Sequence, residues 1–302
     1  MKKIFIFFVL TFFCAQSYAC PFCGCGVGNF YMGLLPNFKS KFIGVRYQYM
    51  SYHTQITGDA EQFGNDYYKT VELWGGISIG NKWQLLAFAP YQINNQKTDD
   101  GIKNLNGLSD ITLLANYKLL DKIKMNGSKS TQQQLLIGAG IKLPTGKYKI
   151  DIHNPETEIG DVNSQLGTGS TDFLLNATYD VRFNKFGINT TANYKINTTN
   201  NEDYHFGNRL NVSSLAYYQV SLKKSVLAPN AGFIYQHSGE NHFSSQKVDQ
   251  TGGYLAMTVA GAELSFKSMA IGANIQLPFS QNFASGQTES KTRGMVHVSF
   301  SF

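Results

Sequence analysis

The chain has no apolar run long enough to form a membrane-spanning helix. Its longest run, from Ile4 to Phe13, has about ten residues, whereas a helix needs about twenty to cross a hydrocarbon core. Charged residues are scarce, at 15% of 302 residues, and the Lys and Arg residues form no basic stripe or nucleic-acid-recognition motif. The sequence therefore argues against a helical membrane protein and against a nucleic-acid-binding protein.

Catalytic motifs are also missing. The stretch from Gly140 to Lys147 misses the spacing of a phosphate-binding loop by one residue, and Tyr148 stands where a Ser or Thr would hold Mg²⁺. No Gly-x-Ser-x-Gly nucleophile elbow occurs, and the six histidines are scattered along the chain. We expect a protein that is not an enzyme. The alternative is a surface protease or lipase barrel with a site assembled from distant strands.

What the sequence does contain is a period-two pattern, in which apolar side chains alternate with polar or small ones. At the end of the chain, for example, Val296 and Val298 alternate with His297 and Ser299. Each segment spans about 12 to 16 residues, longer than the five or six typical of soluble strands. The 17 Tyr, 22 Phe and 29 Gly also favour a sheet. Twelve such segments begin near Phe42, Asp66, Trp83, Ser109, Gln132, Thr168, Lys185, His205, Val226, Thr251, Ser268 and Lys291.

The connections between these segments alternate in length. Short hairpins follow most even-numbered segments and are marked by Asn81-Lys82, Asn184-Lys185, Lys223-Lys224 and Lys267-Ser268. The exception is the longer stretch from Asp121 to Thr131. Long polar connections follow the odd-numbered segments, at roughly 55–65, 95–106, 145–167, 198–204, 239–250 and 280–290. Outer-membrane barrels have this arrangement, with short periplasmic turns and long external loops.

These features predict an all-β fold, a single antiparallel transmembrane β-barrel of about 12 strands in the lipid of a bacterial outer membrane. A soluble β-sandwich or propeller is the alternative, although its strands would be shorter. Phe302 follows Phe300 on one strand face and resembles the terminal signal that the outer-membrane assembly machinery reads. The barrel is predicted over residues 41–302.

The N-terminal residues predict export from a Gram-negative cell. Lys2 and Lys3 precede the short apolar run, and Ser17 and Ala19 place small residues where a signal peptidase reads. The formal net charge of +6 falls by two when Lys2 and Lys3 leave with this segment. We predict a signal peptide over residues 1–19 and, over residues 20–40, a Cys-containing segment able to fold into the barrel as a plug.

Several strand ends carry a family resemblance. Over roughly residues 100–240 the chain resembles the outer-membrane barrel family of the meta-pathway of phenol degradation, itself similar to the long-chain fatty-acid channels. The resemblance implies the barrel fold, the outer-membrane location and transport of small hydrophobic or aromatic compounds, although a fold alone does not fix a function. It rests on Gly107-Leu108-Ser109-Asp110-Ile111 leading to Tyr117, Ile141-Lys142-Leu143-Pro144-Thr145-Gly146, Gly167-Thr168-Gly169-Ser170-Thr171-Asp172-Phe173 and Gly207-Asn208-Arg209-Leu210.

Three cysteines follow the predicted signal, at Cys20, Cys23 and Cys25, while Cys14 leaves with it. Three closely spaced thiolates suit Cu(I), because sulfur ligands favour soft ions. A zinc site is disfavoured because four ligands are wanted and no His lies nearby. Two other interpretations stay open: a local disulfide, and a lipid on Cys20, against which Ser17 stands where lipoprotein signals carry Leu.

The polar faces of the predicted strands carry charges of both signs. Six are basic and five acidic, so we expect an interlocked lumen rather than one selective for a single sign. Two roles are open for them, salt-bridged packing that stiffens the barrel and contact with a substrate. The predicted lumen-facing residues are Arg46, Glu72, Asp110, Lys118, Lys142, Asp172, Asp180, Arg182, Lys195, Arg209 and Glu263.

The sequence thus favours a passive pore or facilitated transporter for small hydrophobic or aromatic molecules. Solute would diffuse through a lumen of polar and small side chains, gated by the N-terminal segment and the 145–167 loop. One alternative is a copper-handling outer-membrane protein with Cys20, Cys23 and Cys25 as its ligands, and another is a structural or adhesive barrel. No cofactor is expected apart from Cu(I) at these thiols.

Overall fold

The computed structural model describes residues 41–56, 62–98, 101–149, 162 and 164–302. The predicted signal peptide and the Cys-containing segment, with its suggested role as a plug, lie outside the described residues. Within the described part of the chain, no helix is long and apolar enough to cross a bilayer.

Twelve antiparallel strands form one closed β-barrel. They are β1 (Phe42–Ile56), β2 (Gln62–Ile79), β3 (Trp83–Thr98), β4 (Gly101–Leu108 and Thr112–Asn126), β5 (Lys129–Lys142), β6 (Asp172–Phe183), β7 (Phe186–Ile196), β8 (Arg209–Tyr218 and Val220–Ser221), β9 (Val226–Ser238), β10 (Gly253–Ser265), β11 (Met269–Phe283) and β12 (Thr288–Ser290 and Arg293–Ser301). Each strand pairs with its sequence neighbours, and β12 pairs back to β1, where Val45 lies opposite Val298. This closure excludes the sandwich and the propeller.

The period-two pattern of the sequence separates an outer from an inner barrel face. Phe173 in β6 and Phe300 in β12 are 51% and 50% exposed, while their neighbours Asp172 and Ser299 are buried. Side chains of successive strand residues point to opposite faces, so an apolar outer face follows directly from the alternation. A soluble barrel would not leave so many large apolar side chains exposed, whereas lipid covers them in a membrane.

The connections define two ends of the barrel, which we call the turn end and the loop end. At the turn end lie both termini of the barrel and the short predicted hairpins, including Asn184 in the left-handed region at φ 53°. Three long connections remain at the loop end, at residues 143–171, 197–208 and 239–252. A small three-stranded sheet of Tyr204–His205, His242–Phe243 and Gln246–Lys247 lies within two of them.

Several predicted boundaries are wrong because paired strands extend into expected loops. Asp121–Thr131 is a tight hairpin, with Asn126 opposite Lys129, and a bulge between Lys118 and Leu120 precedes it. The stretch 95–106 is also mostly ladder, with Thr98 opposite Gly101. Both stretches are polar, and polar residues pair well where strands project beyond the lipid, so polarity alone does not distinguish them from loops.

Other predicted strand boundaries are wrong because residues predicted as strand lie in loops. The segments predicted from Thr168 and from His205 begin later, at Asp172 and Arg209. The reverse holds for the stretch 280–290, which was predicted as a long connection: strands extend into it and leave a short connection between Phe283 and Thr288, around one turn of 3-10 helix.

Pairing between β11 and β12 is interrupted near the loop end. The regular ladder stops at the pair of Gln276 and Arg293. Beyond it, Pro278 has no N–H to donate. The side chain of Gln281 bonds the backbone of Ser290 instead, accepting from its N–H at 2.7 Å and donating to its carbonyl at 3.3 Å. Arg293 therefore lies where the backbone ladder is broken.

Candidate functional site

Eight of the eleven charged residues predicted for the lumen are buried. Asp180, Arg182 and Arg209 are only partly buried. The buried ones are Arg46, Glu72, Asp110, Lys118, Lys142, Asp172, Lys195 and Glu263. The structure distributes them over separate groups around the barrel rather than along one path.

The ion cluster, formed by Asp110, Lys142, Asp172 and Lys195, lies at the loop end of β4 to β7. The Lys142 Nζ atom is 2.6 Å from Asp110 Oδ2 and 2.8 Å from Asp172 Oδ2, and the Lys195 Nζ atom is 3.7 Å from Asp172 Oδ2. Arg209 stands opposite Lys195 in the next ladder. Buried charges cost several kcal/mol unless they are paired, so this cluster is stable only as a unit.

The ion cluster holds the described ends of the 143–171 connection, near Gly146 and Thr168, against the barrel. Asp110 accepts hydrogen bonds from the backbone N–H of Gly146 at 2.9 Å and of Thr168 at 3.0 Å. The Asn94 side chain on β3 donates to the Ser164 carbonyl at 2.8 Å. Because Asn94 belongs to the buried face of β3, residues 164–170 reach the inside of the loop end and narrow it.

Gly107 allows this close approach. Its φ is 153°, and a Cβ atom there would lie 2.9 Å from the Leu166 side chain. Leu166 is itself buried, and its carbonyl accepts a hydrogen bond from the Ser109 hydroxyl. The resemblance motif beginning at Gly107 is thus a docking point for the loop.

A second group lies near the turn end. The Arg46 guanidinium forms an ion pair with Glu72 and lies 5.5 Å from the centre of the Trp74 ring. The His297 Nε2 atom is 3.0 Å from a Glu263 carboxylate oxygen. Arg46 and Glu72 neutralise each other, and His297 and Glu263 share a hydrogen bond, as expected for interior packing.

The remaining predicted charges have local partners. The Lys118 Nζ atom is 2.7 Å from Asp121, three residues further along β4. Asp180 accepts a hydrogen bond from the Tyr217 hydroxyl at 3.0 Å. Arg182 donates to two glutamine side chains at 2.6 Å, near the turn end of β6.

A large part of the inner face is apolar, which corrects the expectation of a lumen lined by polar and small side chains. The buried residues concerned lie on β1, β2 and β8 to β12 and directly after β11. We call them the apolar cluster: Met50, Tyr52, Tyr68, Leu215, Ile234, Leu255, Met257, Val259, Phe283, Ala284 and Met295.

The residue pattern of strand β10 indicates this cluster, although the sequence analysis did not predict it. Its buried parity holds Leu255, Met257 and Val259, while the opposite parity holds small residues such as Ala256 and Ala260. The usual assignment of large apolar residues to lipid is therefore inverted in this strand. Only the pairing with β9 and β11 fixes which face is which.

Arg293 was also missing from the predicted lumen residues, although it shares the inner parity of β12. It is 2% exposed. Its Nε and two terminal nitrogens donate to the Ser290 hydroxyl at 3.0 Å, the Gln236 side chain at 2.9 Å and the Tyr52 hydroxyl at 2.6 Å. Its guanidinium carbon lies 5.2 Å from the centre of the Tyr52 ring. All these partners are neutral.

The candidate metal ligands Cys20, Cys23 and Cys25 lie outside the described residues, so their predicted role stays a prediction. Among residues 41–302, apart from the stretches that the structure does not describe, no group of three or more His, Cys, Asp or Glu side chains converges on a metal-sized site.

The sequence profile of the family described as "Putative MetA-pathway of phenol degradation" matches residues 54–282, which is most of the barrel. The chain belongs to this family. The resemblance inferred from the strand-end motifs is thereby confirmed, and the family match extends it to both sides. No curated protein matches the chain in sequence.

Solved structures show the same architecture at low sequence identity. An outer-membrane channel from Pseudomonas putida F1 is 15% identical with a TM-score of 0.64, covering 91% of this chain and 100% of its own. The β-domain of the Bordetella autotransporter BrkA is 11% identical with a TM-score of 0.52, over 87% and 100% of the two chains. The transport unit of the Escherichia coli autotransporter AIDA-I is 10% identical with a TM-score of 0.51, over 90% and 94%. The fold is that of an outer-membrane β-barrel.

Proposed function

We propose that the protein is an outer-membrane channel that admits small hydrophobic or aromatic molecules. The apolar cluster is the observation that carries this proposal. A barrel that served only as an anchor would gain nothing from large apolar side chains on the inner face of β10. An apolar inner wall gives a hydrophobic solute a favourable environment inside the barrel.

The route of the solute follows from the two ends of the barrel. It enters past the segment 164–170, which the ion cluster holds against β3 and β4, and it then contacts the apolar cluster. This segment limits the size of the solute, while the apolar wall selects its chemistry. The Arg46–Glu72 and His297–Glu263 groups stiffen the turn end of the barrel.

Uptake into proteoliposomes containing lipopolysaccharide tests the proposal, because lipopolysaccharide slows the unaided entry of hydrophobic compounds. We expect the protein to raise the uptake of phenol and benzyl alcohol more than that of arabinose, a polar solute of similar size. Vesicles with protein that take up these solutes no faster than empty vesicles would contradict a channel. Arabinose favoured over both aromatics would indicate a polar pore instead.

A matched pair of variants links the selectivity to the apolar wall. Met257→Gln places an amide in the apolar cluster and should lower aromatic uptake while sparing arabinose, because the amide must be desolvated when an apolar solute passes. Thr191→Val changes a buried residue outside the apolar cluster, in β7, and should leave the preference unchanged. If the two variants changed the ratio of aromatic to arabinose uptake equally, the apolar cluster would not determine the selectivity.

A further inference from the structure

Arg293 differs from the other deeply buried basic residues of the barrel in having no acidic partner. Arg46 pairs with Glu72, and Lys142 pairs with two aspartates. No salt bridge between described residues includes Arg293, although Asp66 stands opposite its partner Tyr52 in the β1–β2 ladder. Burying a guanidinium without a carboxylate costs free energy, and an anionic ligand bound next to it would offset that cost.

The Arg293 guanidinium is held in a fixed position and keeps N–H groups that have no acceptor among the described residues. Ser290, Gln236 and Tyr52 each accept one of its hydrogen bonds. A guanidinium has five N–H groups, so two have no acceptor among the described residues. Three neutral partners thus orient the guanidinium without neutralising its charge.

The surroundings of Arg293 match an anion that carries an apolar body. Arg293 lines a small recess together with the amide side chains of Gln48, Gln236 and Gln276. The same recess is lined by Met50 and Met295 of the apolar cluster. Amides can accept or donate hydrogen bonds to a polar head, while the methionines adapt to irregular apolar shapes.

We propose that Arg293 binds the carboxylate of a small aromatic or aliphatic monocarboxylic acid, whose apolar part lies against the apolar cluster. This inference rests on the proposed function and names the substrate class of the same wall. One planar guanidinium suits a carboxylate, which it can bind through two parallel hydrogen bonds. A phosphate carries more charge than this single cation balances.

The test is equilibrium binding, measured by calorimetry on the full barrel in non-ionic detergent. The probes are benzoate and benzamide, which have the same size and differ in charge. We expect the wild-type protein to bind benzoate about tenfold more tightly than benzamide, the size of effect given by one charge-assisted hydrogen bond. Equal affinities would overturn the inference without any variant having to fold.

Two variants place the preference at Arg293. Arg293→Gln should bring the affinity ratio close to one by weakening benzoate binding alone, and Arg293→Lys, which keeps a cation, should retain part of the ratio. Arg182→Gln is the matched control, since Arg182 likewise donates to neutral side chains, two glutamines, but lies at the turn end of β6. A ratio that survives in folded Arg293→Gln, or that disappears equally in Arg182→Gln, would refute the assignment.

The outcome is separable from that of the channel proposal. A barrel that prefers benzoate in solution but passes no aromatic solute in vesicles keeps the binding site and loses the channel. A barrel that passes phenol with no preference for benzoate keeps the channel and loses the carboxylate site.

Discussion

Two regions of the inner face, the ion cluster and the apolar cluster, bury their side chains in opposite ways. On β4 to β7, the ion cluster pairs each buried lysine with at least one aspartate and ties down residues 164–170. On β8 to β12 and β1, the apolar cluster surrounds Arg293, whose hydrogen-bond partners are all neutral. Each lysine of the ion cluster has an acidic partner, whereas Arg293 has none among the described residues.

This difference distinguishes inner-face residues that stabilise the barrel from those that are candidates for contact with a solute. Charged residues on the inner face attract notice as candidate substrate contacts, but the ones that pair with each other are already occupied. The deeply buried residues outside those pairs are the apolar cluster and Arg293, which has no salt bridge among the described residues. A charged residue on the inner face is therefore weak evidence for a substrate contact. A charged residue that has no oppositely charged partner is stronger evidence.

The largest effect is expected from breaking the ion cluster. Lys142→Met leaves Asp110 and Asp172 buried without their shared cation, which should cost about 3–5 kcal/mol of unfolding free energy. Guanidinium unfolding of the barrel refolded in lipid vesicles measures this loss. Lys118→Met is the control, since its partner Asp121 is exposed and the cost should be well below that of Lys142→Met. Similar losses in both variants would show that the ion cluster is no special unit.

A somewhat smaller loss of unfolding free energy is expected from a cavity in the apolar cluster. Leu255→Ala removes a side chain that is fully buried, and the cavity should cost about 3 kcal/mol in the same unfolding experiment. Leu113→Ala on the outer face is the control, because Leu113 is exposed and lipid fills the space that its truncation leaves. If the inner variant cost no more than the outer one, the apolar cluster would not be packed as the structure shows.

The loop contact should give a modest change in stability with a clear change in permeation. Asn94→Ala removes the hydrogen bond to the Ser164 carbonyl and should cost about 1 kcal/mol. Single-channel conductance in planar bilayers should rise, because residues 164–170 are held less firmly at the loop end. Asn104→Ala, which removes an exposed side-chain hydrogen bond to Asn95 in the β3–β4 ladder, is expected to leave the conductance unchanged.

The smallest effect is expected from an exposed pair outside the barrel wall. Glu240 and Lys247 lie 2.6 Å apart, and the hydrogen bond from Lys247 lowers the pKa of the Glu240 carboxyl. Any stabilisation from this pair is present above the ordinary pKa of the carboxyl and is lost as the pH falls through its lowered value. Glu240→Gln should leave the unfolding midpoint unchanged at neutral pH, since solvent screens the pair. A loss as large as that of Lys142→Met would mean that exposed pairs matter as much as the ion cluster.

Sequence reasoning was most successful where one local rule decides the outcome. The alternation of Val296 and Val298 with His297 and Ser299 gave both the strand and its faces, and the hairpin at Asn184 followed from turn chemistry. It failed at Asp121–Thr131, where polar residues continue a ladder beyond the apolar band. It also failed to find the apolar cluster, because β10 carries its large residues on the inner parity.

The sequence by itself determined the strand period, the closed barrel expected from it and the presence of charges on the inner parity, because each follows from residues adjacent along the chain. Only the tertiary structure decided which of those charges neutralise one another. Tyr52 and Arg293 are 241 positions apart and meet because β1 and β12 close the barrel, and Lys142 meets Asp110 across a ladder. Strand register sets these neighbours, and register depends on the whole sheet rather than on any one segment.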